Sequence, residues 1–185
     1  MNVGQIIMIA IMFFPLVPQS RAAEHAAQRK ITSTGPRIPP SVQAEHEEIH
    51  SMLVRATKAP GRVGAAAREL AKVLDPHFVR EKEIALPPLG LLARLASGGD
   101  VSEAERSQAL TMSDALKREL PRMLEEHKRI KAAVEKLGDA ARADNAAEYQ
   151  RLAEQLALHA RTEEEVMYPA AILVGDILRA RGRTK

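Results

Sequence analysis

The chain has 185 residues, none of them cysteine and six of them histidine, and its 27 basic and 24 acidic side chains leave a net charge of +3. Without cysteine, disulfides, thiolate zinc sites and iron–sulfur clusters are excluded, so any metal must be held by nitrogen and oxygen. The nearly balanced charges are spread along the chain, which argues against a nucleic-acid partner. The length indicates one domain, and many Ala, Leu, Glu, Lys and Arg with 3% aromatic residues favour an all-α fold.

Residues 1–22 are typical of an export signal. An uncharged apolar run, residues 6–17, is shorter than the roughly 20 residues that cross a bilayer, and Ser20 and Ala22 follow it at the spacing of a cleavage site. No Lys or Arg precedes the run. We expect an exported or periplasmic protein; a membrane-anchored or cytoplasmic one is the alternative. Residues 23–40 are predicted to be a linker, and residues 176–185 a basic C-terminal tail.

Four amphipathic helices are predicted within residues 41–175. In chain order they begin at or near Ser41, Gly61, Ser102 and Asn145. Glu105 completes a capping box at the start of the third helix, and Gly138 is expected to end it. Each helix has one apolar stripe, which predicts an antiparallel, up-down four-helix bundle with the stripes facing inward.

Histidine interrupts the inward stripe in all four helices, and glutamate also interrupts it in the second and fourth. The inward polar residues are His46, His77, Glu81, His127, His159 and Glu163. The fourth stripe is expected to contain Tyr149, Leu152, Leu156, His159, Glu163, Val166 and Ala170. A carboxylate on such a stripe loses its hydration, at a cost of several kcal/mol unless something compensates it, and a metal ion would do so.

The two halves of the predicted bundle repeat one pattern. His46 and His77 are 31 residues apart, and His127 and His159 are 32 residues apart. Each second histidine is followed by glutamate four residues later and by proline ten residues later, in HFVREKEIALP at 77–87 and HARTEEEVMYP at 159–169. Since residues i and i+4 share one face of a helix, each His/Glu pair can bind one of two neighbouring metal ions. Imidazoles with carboxylates that can bridge suit iron or manganese.

These motifs resemble the hemerythrin-like, or HHE cation-binding, family. The resemblance covers residues 41–170 and also includes AEHEEI and EEHKRI around the first histidine of each half. It implies that the six residues ligate two iron ions in a non-haem di-iron centre, with Glu81 and Glu163 bridging; manganese or zinc are alternative metals. Where oxygen-carrying hemerythrins have another His and an Asp, this chain has Lys131 and Glu164. The pattern is therefore closer to the iron-centre repair and nitric-oxide-responsive branch, and His50 is a candidate additional ligand.

We therefore expect a di-iron protein that binds or responds to oxygen, nitric oxide or peroxide, in sensing, scavenging or iron handling. The expected partner is a small diatomic ligand or oxidant, with membrane contact only through an uncleaved N-terminal segment. The alternative is a metal-free or zinc-stabilised helical bundle that acts as a protein-interaction module. No catalytic residue is assigned.

Four other residues near the motifs are assigned no metal-binding role. Glu45 and Glu126 are expected on solvated faces, with orientation of the imidazoles as the alternative. Glu164 is expected in an exposed acidic turn, and Tyr168 is expected to pack around the site.

Overall fold

Four long helical segments make up the described part of the chain, residues 35–183 of a computed structural model. Their bounds are Pro40–Thr57 (α1), Gly61–Ile84 (α2), Glu103–Ala143 (α4), and Ala147–Thr162 (α5), which continues through a π-helical turn, Glu163–Met167, into Tyr168–Arg183 (α6). A 3-10 helix, Pro87–Leu91, and a short helix, Leu92–Ala96 (α3), connect α2 to α4. Residues 35–183 contain no strand, which confirms the all-α prediction for this part of the chain.

Neighbouring helical segments run antiparallel around a closed ring. Across each interface, residue numbers rise along one segment as they fall along the next. The contacts that show this are Thr57–Arg68 and His50–Asp75, His77–Glu126 and Arg80–Glu119, Ala141–Gln150 and His127–Glu164, and Arg55–Glu148 and Glu45–His159. The arrangement agrees with the predicted four-helix bundle.

Two apolar clusters fill the space between the helices. The first core cluster includes Ile49, Leu53, Leu70, Leu74, Phe78, Ile130, Val134, Leu152 and Leu156. The second core cluster includes Ile84, Leu86, Leu89, Leu116, Met123, Tyr168 and Ala171. Full burial of one such side chain contributes about 2 kcal/mol. On every long segment, the predicted metal-binding positions fall between residues of the first core cluster and residues that pack in the second.

The helix ends follow the sequence in part. Ser102 caps α4, and Glu105 completes the predicted capping box. The predicted end of this helix at Gly138 is wrong, because α4 continues to Ala143. Gly138 is buried within the helix and faces Ala153. The predicted start of the fourth helix at Asn145 is also wrong: Asn145 has a φ of 51° and lies in the link before α5.

The π-helical turn changes which residues face inward after Glu163. In an α-helix, residue i+5 is rotated by about 140° around the helix axis from residue i. Here the Tyr168 N–H donates to the Glu163 carbonyl, and this wider i to i+5 turn carries Tyr168 to the inner face. The predicted inward position of Val166 is therefore wrong, since Val166 is 58% exposed and Tyr168 is buried. The stripe then continues one residue later than predicted, at Ala171.

The ends of the chain fall largely outside the described residues. The predicted signal segment, residues 1–22, lies outside them, as does the predicted linker up to residue 34. The segment before α1, residues 35–39, is not helical, and α6 continues to Arg183 through most of the predicted tail. Within residues 35–183, no helix is both long enough and apolar enough to span a membrane.

The Glu105 carboxylate gives a pH-dependent contribution to stability. The Arg94 side chain and the Ser102 cap lower the pKa of Glu105 from 4.5 to about 2. A lowered carboxyl pKa stabilises the fold above the unfolded-state pKa and loses that effect as the pH falls through the folded-state pKa. We expect Glu105→Gln to cost about 1 kcal/mol at pH 7, with the difference from wild type shrinking between pH 4.5 and pH 2.

Urea unfolding at several pH values measures this difference. Glu103→Gln is the matched control, because it removes the same charge from the same helical turn while its side chain is 85% exposed. Equal effects of the two substitutions at all pH values would contradict the assigned role of Glu105.

The one-residue shift after the π-helical turn predicts opposite outcomes for two valines. Val166→Ser should change the free energy of unfolding by less than about 0.5 kcal/mol, because Val166 is exposed. Val174→Ser should cost about 2 kcal/mol or more, because Val174 is fully buried and serine leaves both a void and a polar group there. Thermal unfolding of both variants checks this. A large loss of stability in Val166→Ser would contradict the shift and would support the inward position of Val166 predicted from the sequence.

Candidate metal centre

Six buried histidine and glutamate side chains meet between the two core clusters. Each is at most 3% exposed. This His/Glu cluster contains His46 from α1, His77 and Glu81 from α2, His127 from α4, His159 from α5, and Glu163 from the π-helical turn. The structure therefore brings together all six residues that the sequence pattern singled out.

The donor atoms of the His/Glu cluster fall into two groups, each able to hold a metal ion. The first group is His77, Glu81, His127 and Glu163, and the second is His46, His159 and Glu163. Within each group the donor atoms lie within 4.8 Å of one another. Glu163 is common to both groups, as a bridging ligand must be, whereas Glu81 belongs to the first group alone.

The shared carboxylate of Glu163 uses both of its oxygens. Its Oε1 lies 2.9 Å from His159 Nε2 and 3.3 Å from His46 Nε2, while its Oε2 lies 3.5 Å from His127 Nε2. On the opposite side, Glu81 Oε1 is 3.3 Å from His77 Nε2. In all four histidines, Nε2 is the ring nitrogen directed at the carboxylate of Glu81 or Glu163.

Three carboxylates outside the His/Glu cluster accept hydrogen bonds from the other ring nitrogen. We call these the outer carboxylates: Glu126 lies 2.9 Å from His77 Nδ1, Glu164 lies 2.9 Å from His127 Nδ1, and Glu45 lies 3.1 Å from His159 Nδ1. Since an ionised carboxylate can only accept, each Nδ1 carries a hydrogen, and Nε2 is the ring nitrogen that faces inward and can bind a metal once its own proton is displaced. Metal-binding histidines are commonly oriented in this way.

Two of the outer carboxylates are themselves held by basic side chains. Arg122 donates to Glu126 at 2.8 Å, and Lys131 donates to Glu164 at 2.7 Å. These cations and the neighbouring imidazoles lower the pKa of both carboxyls despite partial burial, which alone would raise it. Both groups are therefore ionised at neutral pH and act as acceptors.

Several buried polar atoms of the His/Glu cluster lack a hydrogen-bond partner. Among the described residues, the unpaired buried side-chain atoms include His46 Nδ1 and Nε2, Glu81 Oε2, His159 Nε2 and Glu163 Oε1. Although His159 Nε2 and Glu163 Oε1 are close, their orientation does not form a hydrogen bond. A buried polar atom without a partner costs about 1–3 kcal/mol. A metal ion bound by these atoms would remove that cost, so the residues fit a metal centre.

The two buried glutamates have pKa values shifted in opposite directions. Burial, followed by the charge of Glu163, raises the pKa of Glu81. Burial also acts to raise the pKa of Glu163, but contacts with three imidazoles hold it well below its usual value. In the metal-free protein a proton is therefore retained by Glu81 in preference to Glu163.

The same carboxylates act on the histidines. Burial lowers the pKa of His77, but Glu81 and Glu126 outweigh it and raise the pKa to about 8. Burial likewise opposes protonation of His159, and Glu163 with Glu45 raises its pKa to about 9. Protons therefore compete with a metal for these nitrogens at neutral pH, and metal binding would release them.

Two aromatic side chains border the His/Glu cluster. The Phe78 ring lies 4.5 Å from the ring of His46 and 6.0 Å from that of His159, measured between centroids. On the other side, Tyr168 is buried with its hydroxyl against the first donor group. Both rings exclude water from the metal-binding atoms.

Sequence reasoning placed some neighbouring residues less well. His50 is not brought to the His/Glu cluster: its side chain is 53% exposed and lies 4.0 Å from Asp75. Glu164, expected in an exposed turn, is an outer carboxylate. Glu45 is exposed as expected and also takes the orienting role that was its alternative, whereas Glu126 is half-buried and takes that role. Each of Glu126, Glu164 and Glu45 contacts a histidine on another segment, a relation that spacing within one helix does not encode.

Comparison with known proteins adds no family assignment, because no protein-family model, curated protein or solved structure matches the chain. The candidate metal centre is therefore supported by the geometry of its donor atoms.

The outer carboxylates predict a specific effect on metal affinity. Glu126→Ala should weaken binding of Fe²⁺ by about 10- to 100-fold, because His77 loses the acceptor that orients it. Glu125→Ala is the matched control, since that neighbouring side chain is 59% exposed and pairs with Lys128. Competition with a chelator of known affinity measures both variants. Equal affinities would contradict the orienting role.

Proposed function

We propose that this chain is a non-haem di-iron protein of the hemerythrin-like family that binds or responds to oxygen, nitric oxide or peroxide. The observation that carries the proposal is the convergence of four imidazoles and two carboxylates, all buried, from four helical segments. Their arrangement in two donor groups that share Glu163 supports two ions rather than one.

The donor chemistry favours iron. Imidazole and carboxylate without thiolate suit iron and manganese, and zinc is a third metal that such ligands accept. Each donor group supplies two imidazole nitrogens and at least one carboxylate oxygen. This is fewer than the six ligands of an octahedral ion, so coordination positions are left for an external molecule. When bound, a pair of iron ions would supply redox chemistry and open positions for a diatomic molecule or peroxide.

The protein's own residues would prepare the centre for this chemistry. The outer carboxylates hold three imidazoles in one orientation, with the Nε2 atoms directed inward. Phe78 and Tyr168 keep bulk water away from the donor atoms. With Glu81 and Glu163, the outer carboxylates make five acidic groups around the centre, and this negative charge favours the binding of two cations.

The alternative function, a metal-free or zinc-stabilised interaction module, is less well supported. A partner-binding module gains nothing from polar atoms buried without hydrogen bonds between two apolar clusters. It also has no need of carboxylates that orient buried imidazoles. Export of the protein remains part of the proposal, and N-terminal sequencing of the mature protein tests it.

Iron stoichiometry tests the proposed function. After anaerobic iron loading, the wild-type protein should bind about two iron ions per chain, and the His77→Ala plus His159→Ala variant should bind fewer than one, because each donor group loses an imidazole. With free metal at about 100 times the dissociation constant, the wild-type melting temperature should rise by about 5–10 °C. Nitric oxide should change the visible spectrum of the loaded wild type.

The matched control is His25→Ala plus His50→Ala, which removes two histidines that are not among the six assigned ligands. It should retain the wild-type iron content. Less than one iron per wild-type chain, or stability that is unchanged when the cluster histidines are replaced by leucine in the presence of iron, would favour the interaction module.

A further inference from the structure

The proposed function assigns no metal-binding role to the hydroxyl of Tyr168, which lies against the first donor group. The side chain is fully buried. Its hydroxyl donates to Glu81 Oε1 and lies 3.2 Å from His77 Nε2 and 3.1 Å from His127 Nε2. The oxygen thus touches three of the four residues in the first donor group.

We propose that the Tyr168 oxygen is a further ligand of the metal bound by His77, Glu81, His127 and Glu163, so that the two metal positions of the centre are not equivalent. The inference rests on the proposed metal-binding function and adds a ligand to it.

The separations between these atoms match those of ligands on one ion. Neighbouring donors of an octahedral ion, each about 2.1 Å from the metal, lie about 3.0 Å apart. The Tyr168 oxygen is at 3.2 and 3.1 Å from the two imidazole nitrogens, and His77 Nε2 is 3.3 Å from Glu81 Oε1. The phenol oxygen therefore occupies the place of a donor atom.

The ring orientation supports the same assignment. His77 and His127 each donate Nδ1–H to an outer carboxylate, so the Nε2 atom of each ring is the one that faces the Tyr168 oxygen. A cation bound by the two Nε2 atoms and the Glu81 carboxylate would displace the protons held there and would attract the phenol oxygen as well.

One backbone hydrogen bond repeats on the two sides of the centre while the side chain differs. The Glu81 carbonyl accepts from the N–H groups of Ala85 at 2.9 Å and Leu86 at 3.0 Å, and the second of these is an i to i+5 bond like that from Tyr168 to Glu163. Leu86 and Tyr168 are also equivalent in the sequence repeat, each directly before a proline. The first half of the chain thus has a hydrocarbon side chain at the repeat position where the second half has a phenol, so the repeat supplies this ligand once.

Binding as phenolate would require the phenol to lose its proton. The O–H bond would break as the oxygen bound the metal, the proton would leave to solvent, and no electron would be transferred.

Optical and resonance Raman spectra of the full chain loaded with Fe³⁺ test the assignment. A phenolate bound to ferric iron gives a visible charge-transfer band, and excitation in that band enhances phenolate ring vibrations. The chain has two tyrosines, so Tyr149→Phe is a matched control for Tyr168→Phe. We expect the band in the wild type and in Tyr149→Phe, and its loss in Tyr168→Phe with iron still bound.

The two metal positions can be compared by titration with Zn²⁺ against a chelator. Tyr168→Phe should weaken the tighter of two binding steps by about tenfold or more and leave the weaker step unchanged. Iron bound to the wild type without phenolate vibrations would overturn the proposal while the di-iron function stands. A wild type that binds no iron would overturn both, and the wild-type Raman spectrum decides the matter even if Tyr168→Phe fails to fold.

Discussion

Two carboxylates and four imidazoles occupy a layer that helices of this kind otherwise fill with hydrocarbon. Buried carboxylates lose their hydration, and the structure compensates them through imidazoles contributed by all four helical segments and through the Tyr168 hydroxyl at Glu81. The register of each segment is therefore set by where its polar residue must lie, with apolar clusters on both sides. Moving a segment by a turn, about 5.4 Å, would take its histidine away from the carboxylates and toward one of the apolar clusters.

The centre is connected to solvent by ordered polar chains. Arg122 holds Glu126, which holds His77, and Lys131 holds Glu164, which holds His127. A surface cavity of about 180 Å³ lies beside the first of these chains and has Arg80 and Arg129 in its lining. Surface cations thus offset part of the negative charge that the inner carboxylates and the outer carboxylates bring to one place.

The sequence predicted the parts of this structure that depend on neighbours along a helix. The repeated spacing of histidine and glutamate placed all six cluster residues on inward faces, and Ser102 with Glu105 marked a helix start. Contacts between segments, such as Glu164 with His127, were not predicted because helix periodicity carries no information about them. The π-helical turn was missed because a fixed step of three or four residues kept Val166 inside. The five-residue step from Glu163 to Tyr168 is the feature that could have indicated it.

The i to i+5 hydrogen bond after each glutamate has a consequence for how this interior can evolve. It forms after Glu81, where α2 ends, and after Glu163, where the helix continues, so the backbone retains part of the two-fold pattern that the sequence repeat predicts. Two separate hairpins of identical sequence would have to carry every substitution twice, once on each side of the symmetry axis. Joined in one polypeptide, the halves diverge independently, and leucine at position 86 against tyrosine at position 168 is such a divergence. The change of one side chain can in this way make the two sides of a symmetric interior chemically different.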